Sequence, residues 1–90
     1  MLKTLEELIT VIRQRKTSKA EESYTKKLLS DKNLSKEKLK EEMAELIEAV
    51  GEKKNQVHEA ADVLYHLMVV LEANGIKIED VMDELKKRQK

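Results

Sequence analysis

Across its whole length the chain contains no proline, and Gly51 and Gly75 are its two glycines. Almost nothing in it breaks a helix. Trp and Phe are also absent, and charged residues make up 40% of the chain, mostly Lys and Glu, both good helix formers. The fold class that follows is all-α. Ninety residues allow one domain, residues 1–90. A chain this short buries a smaller share of its surface than a longer one, which a wide interface with a second copy would relieve.

Composition also excludes several functions. Without Cys there is no disulfide scaffold, thiolate metal site or thiol nucleophile. No apolar run reaches the roughly 18 residues of a membrane span. The opening segment carries Glu6 and Glu7 where a signal peptide needs apolar residues, so a cytoplasmic protein is expected. With 18 basic and 18 acidic residues the net charge is zero, which argues against a nucleic-acid binder. Richness in Lys and Glu without Cys or Trp suits a thermophile.

Apolar spacing predicts a compact antiparallel bundle of four to five helices, completed by dimerisation. The first runs from Leu5 to Arg15, with Thr4 and Glu7 as a capping box. A polar linker spans Lys16 to Glu22, and a short helix capped by Ser23 runs to Leu29. After a loop from Ser30 to Asn33, Ser35 caps a helix reaching Val50, with Gly51 as its C′ residue. The connection from Glu52 to Asn55 is short, so the next helix, Gln56 to Ala73, is an antiparallel neighbour. Asn74 and Gly75 close it, and a last helix runs from Glu79 to Lys87 with its charges matched to the dipole.

The helix from Gln56 is apolar at nearly every position between Ala60 and Leu71, so it needs cover on all sides. Its face of Val57, Ala61, Leu64, Met68 and Leu71 suits the stripe of Leu39, Met43, Leu46 and Val50. Tyr65 and Val69 lie on a second side, Val63 and Val70 on a third. The first helix covers one of these, and a second subunit is the simplest cover for another. A homodimer is expected, with Val69 at its interface.

Two acidic patterns carry the chemistry. Glu42 and Glu45, within Glu41-Glu42-Met43-Ala44-Glu45, are neighbours three apart on one helix. Glu59 and Asp62 are spaced the same way at the start of the most apolar helix, where unpaired carboxylates are costly. A solvated face accounts for the first pattern alone but not for both. Four acids from two antiparallel helices are tolerable around a divalent cation, and an all-oxygen set suits Mg²⁺, Mn²⁺ or Ca²⁺ rather than Zn²⁺. His66, one turn after Asp62, can orient a carboxylate or be a hydrogen-bonded core histidine. His58 lies in a polar turn and is assigned no role. The hydroxyls and ammonium groups of Ser23-Tyr24-Thr25-Lys26-Lys27 can hold phosphate or form an ordinary surface helix.

With these residues in place, the chain resembles the phosphoribosyl-ATP pyrophosphatase family, within the all-α nucleoside triphosphate pyrophosphohydrolases (the MazG-like superfamily). The superfamily signature, Glu-Glu-x-x-Glu followed by Glu-x-x-Asp, is matched by Glu41, Glu42 and Glu45 and by Glu59 and Asp62. Three further segments point to the histidine-biosynthesis family. They are Ser23 to Leu29, Glu59 to Leu67, and Asp80-Val81 with Glu84-Leu85 and Arg88. One departure is Lys40, where the family often has Gly before the paired glutamates.

The resemblance implies Mg²⁺-dependent hydrolysis of phosphoribosyl-ATP to phosphoribosyl-AMP and pyrophosphate, with Mn²⁺ as a substitute ion. Glu42, Glu45, Glu59 and Asp62 would be the metal ligands, and Glu41 either a general base or an extra ligand. Ser23, Tyr24, Lys27 and Lys38 would contact substrate. Two alternatives are a broader triphosphate pyrophosphatase that removes non-canonical nucleotides and a non-catalytic helical dimerisation module.

Overall fold

The computed structural model describes residues 2–17 and 23–89. The expected linker falls mostly on residues 18–22, outside the described residues. Among the described residues five helices run in order: α1 (Lys3–Thr17), α2 (Tyr24–Ser30), α3 (Lys32–Glu52), α4 (Gln56–Ala73) and α5 (Ile78–Arg88). The fold is all-α. No helix among the described residues is long and apolar enough to cross a membrane.

The ends of the helices differ from expectation in instructive ways. Thr4 lies inside the first turn of α1, which opens on the Leu2 carbonyl accepting from the Leu5 and Glu6 amides. The expected loop before α3 is absent, because Asp31 alone serves two helices. Its amide donates to the Lys27 and Leu28 carbonyls at the end of α2, and its Oδ1 accepts the Leu34 amide at 3.0 Å at the start of α3. Ser35 is therefore no cap. It is buried within α3, its hydroxyl donating to the Lys32 carbonyl at 3.0 Å.

At its other end α3 runs past Gly51. The left-handed position falls on Lys53, at φ 58°, whose amide donates to the Ala49 carbonyl; Asn55 is also left-handed, at φ 56°. α4 closes as expected. Gly75, at φ 70°, donates to the Glu72 carbonyl, and Ile76 donates to the Leu71 carbonyl at 2.9 Å. That pair of bonds is a Schellman closure, which requires the positive φ that glycine supplies without strain.

The three-residue turn from Lys53 to Asn55 makes α3 and α4 an antiparallel hairpin, the most extensive helix pair in the fold. α2 packs on α4, and α1 on both. The core sits where α1, α2 and the second half of α4 meet: Ile9, Ile12, Leu28, Met68 and Val69 are buried, with Leu5, Leu8, Tyr65 and Leu71 packed around them. Val69 is fully covered by its own chain. That corrects the expectation that it faces a second subunit. The uncovered apolar face lies instead on the hairpin, where Met43, Ile47, Val50, Val57 and Leu64 are 46–85% exposed. α5 buries no residue fully and is tied down by Arg13 of α1, whose guanidinium binds both Glu79 carboxylate oxygens at 2.7 and 3.0 Å and Glu72 at 2.8 Å.

Candidate functional site

The α3–α4 hairpin sets two acidic turns side by side. Glu42 and Glu45 lie one turn apart on α3, and Glu59 faces them from the first turn of α4. Ligand atoms of Glu42, Glu45 and Glu59 all lie within 4.8 Å of one another. A second group, His58, Glu59 and Asp62, meets the same limit, so Glu59 belongs to both. The four acids thus form a chain, Glu42–Glu45–Glu59–Asp62, rather than meeting at one point. Asp62 Oδ2 is 3.3 Å from His58 Nε2.

The electrostatics identify what this arrangement lacks. Oε2 of Glu42 and Oε2 of Glu59 are buried and accept no hydrogen bond. An orphaned buried carboxylate oxygen is expensive. Both carboxyls are held above the usual range. For Glu42 the cause is desolvation first, then the close negative charge of Glu45, with Asp62 adding and His66 opposing. For Glu59 it is desolvation, then the close approach of the Glu45 carboxylate, with His58 opposing and Asp62 adding. A cluster that resists ionisation and presents unmatched oxygens fits a hard divalent cation, which would supply the missing positive charge.

The remaining candidates divide. Glu41 is mostly exposed and pairs with Lys38 at 3.3 Å, one turn back along α3 and outside both carboxylate groups. Ser23 caps α2, its Oγ accepting the Lys26 amide at 3.4 Å. The Tyr24 hydroxyl lies 3.3 Å from His66 Nε2, and the Thr25 hydroxyl bonds to that of Tyr65. Lys27 is exposed in the last turn of α2. His66 reaches the Asp62 backbone carbonyl rather than a carboxylate, with Nδ1 at 2.8 Å. His58, assigned no role from sequence, is brought to Asp62 by the four-residue spacing that makes helix neighbours. A shallow depression of about 180 Å³ opens beside the cluster, lined by Glu45, Glu48, Glu52, Lys54, Asn55 and Glu59. A larger one, about 440 Å³, lies between α1 and α5, is lined by Leu5, Ile9, Arg13, Glu79 and Met82 among others, and is bordered by none of the cluster acids.

A helical hairpin carrying Glu-Glu-x-x-Glu on one arm and Glu-x-x-Asp on the other defines a small all-α protein with an acidic, candidate metal-binding site. The family model for phosphoribosyl-ATP pyrophosphohydrolase matches residues 5–89. The chain is 48% identical over 88 residues to a phosphoribosyl-ATP pyrophosphatase of Methylobacterium nodulans, covering 94% of this chain and 82% of that one. It is 40% identical over 90 residues to one from Haloarcula marismortui, covering 94% and 92%. A histidine biosynthesis bifunctional protein, HisIE, of Pyrococcus furiosus is 41% identical over 91 residues, 99% of this chain but 43% of that protein. The chain belongs to the phosphoribosyl-ATP pyrophosphohydrolase family.

Proposed function

We propose that this protein hydrolyses phosphoribosyl-ATP to phosphoribosyl-AMP and pyrophosphate in histidine biosynthesis, with Mg²⁺ held by the α3–α4 hairpin, acting in the cytoplasm as a single-domain chain. The observation that carries this reading is the pair of buried, unmatched oxygens on Glu42 and Glu59, facing each other across two helices. Glu42, Glu45, Glu59 and Asp62 would hold the metal; Mn²⁺ suits the same donors. Bound there, the ion would neutralise the triphosphate oxygens and polarise the attacking water.

The chain's own residues supply the rest. The α3–α4 hairpin sets Glu42 and Glu59 close together with Oε2 of each unmatched, so the donors would already be gathered before ligand arrives. Attack by water at the α–β linkage breaks the P–O bond to the leaving pyrophosphate and releases a proton, which a carboxylate must accept. Glu41, beside Glu42 but outside the cluster, takes that general-base role or adds a ligand. Lys38, paired with Glu41, and Lys27 would bring positive charge to the phosphates. Ser23 and Tyr24 complete the substrate-facing end of α2.

The same reading includes a homodimer. Met43, Ile47, Val50, Val57 and Leu64 form an exposed apolar face on the two helices that carry the acids. A second copy seated there would make an apolar interface resembling a core cut in half.

The test is pyrophosphate release from phosphoribosyl-ATP, with and without Mg²⁺, against a panel of free nucleoside triphosphates. Metal-dependent turnover selective for phosphoribosyl-ATP is expected. Equal turnover across the panel would favour the broader pyrophosphatase. No turnover, with no Mg²⁺ binding by calorimetry, would leave a helical dimerisation module.

A further inference from the structure

The two groups of close ligand atoms on the hairpin differ in donor type. Glu42, Glu45 and Glu59 offer oxygen alone, whereas His58, Glu59 and Asp62 include an imidazole nitrogen. His58 and Asp62 stand four residues apart in the first turns of α4, a spacing at which one helix face can present two ligands to one ion. Nε2 of His58 lies 3.3 Å from Oδ2 of Asp62. A charge-assisted N–H···O bond is about 2.7–2.9 Å long, so the pair is set wider than such a bond. Two donors, each about 2.1 Å from a shared ion and about 90–110° apart around it, would stand about 3.0–3.4 Å from one another, which is the spacing here.

Glu59 is the third member of this group, and its Oε2 is buried without a hydrogen bond. A cation meets that need on the α4 side as it does for Glu42 on the α3 side. The side chains of His58 and Asp62 are 72% and 38% exposed, so an ion between them faces solvent and keeps positions open for water or a phosphate oxygen. Carboxylates alone suit Mg²⁺; an imidazole in the set raises the affinity for first-row transition ions, which accept nitrogen readily.

We infer that His58, Glu59 and Asp62 form a second cation position at the α4 end of the cluster, joined to the all-oxygen position through Glu59, and that the His58 imidazole makes it select an ion such as Co²⁺ or Zn²⁺ over Mg²⁺. The inference rests on the proposed metal site and deepens it. The hairpin then holds a hard position and a nitrogen-bearing one side by side, and His58 sets which ion enters the second.

The test uses the full chain and the metals alone, without substrate. Zn²⁺ titrated into isotope-labelled wild type should move the ring-nitrogen NMR signals of one histidine, and Mg²⁺ should leave them in place. The chain has two histidines, His58 and His66, so loss of the moving signals in His58→Ala assigns them. By calorimetry His58→Ala should weaken the tightest Co²⁺ and Zn²⁺ binding at least about 10-fold. Its Mg²⁺ affinity should stay within about two-fold of wild type, since Mg²⁺ takes oxygen ligands. His58 is exposed and Ala favours helix, so the variant keeps the fold, and the NMR titration of wild type decides the ligand by itself. Movement of the His66 signals instead of those of His58 would overturn the inference. So would Co²⁺ and Zn²⁺ affinities unchanged in His58→Ala, or an Mg²⁺ affinity that falls by the same factor. A wild type that takes Zn²⁺ through His58 but neither binds Mg²⁺ nor hydrolyses phosphoribosyl-ATP would overturn the proposed function and leave this position standing.

Discussion

Glu45 is the hinge of the acidic cluster, because it raises the proton affinity of Glu42 on its own helix and of Glu59 across the hairpin. Glu45→Gln keeps the size of the side chain and removes that charge. Turnover should fall by at least about 100-fold if it ligates the metal, while the metal-free protein melts no lower than wild type, since like-charge repulsion is relieved. Calorimetric scans in EDTA and in Mg²⁺ check both halves; Mg²⁺ should raise Tm for wild type and scarcely for Glu45→Gln. Asp62→Asn should lose activity in the same way. Undiminished turnover in both variants would remove the carboxylates from the mechanism.

Single contacts decide more than expected at the scale of the helices. Asp31 ends α2 and begins α3 through one residue. Asp31→Ala should cost about 1 kcal/mol in urea unfolding, the usual loss for a side-chain N-cap. α5 hangs on Arg13, which lies flat against Glu79 in a two-bond fork. The guanidinium, mainly by hydrogen bonding, pulls the Glu79 carboxyl from its ordinary 4.5 down to about 2. A carboxyl lowered in the folded state stabilises it above the unfolded value and loses that contribution as pH falls through the folded one. Docking of α5 should therefore weaken between about pH 4.5 and 2. Amide exchange in α5, corrected for intrinsic rates, should rise over that window in wild type. In Arg13→Gln it should be fast at both ends.

For the whole molecule the question is which apolar face lacks cover. The core of α1, α2 and α4 encloses Val69 completely, whereas Ile47 and Val57 are 71% and 85% exposed. Val69→Glu should therefore unfold the chain itself, by burying a charge. Ile47→Glu should leave each chain folded and shift sedimentation from dimer to monomer at micromolar concentration. A wild-type chain that sediments as a monomer would remove the dimer from the proposed function.

The fold class, the five helices, the antiparallel hairpin and the closure at Gly75 were all legible in the residues. The reason is that they rest on local terms: propensity, a 3.6-residue period, and a position that demands positive φ. The two acidic turns were legible for the same reason, since a three-residue spacing sets two side chains on one face in any helix. Tertiary structure decided the rest. Which face of α4 its own chain covers depends on where α1 and α2 dock, and no periodicity in α4 encodes that; hence Val69 is core and Val57 is not. His66 pairs with the Asp62 backbone carbonyl and a tyrosine 42 residues away rather than with a neighbouring carboxylate. Asp31 displaces Ser35 as the cap because Ser35 is needed inside. Spacing along a helix is a property of the backbone, but burial and pairing between helices exist only once the chain has folded back on itself.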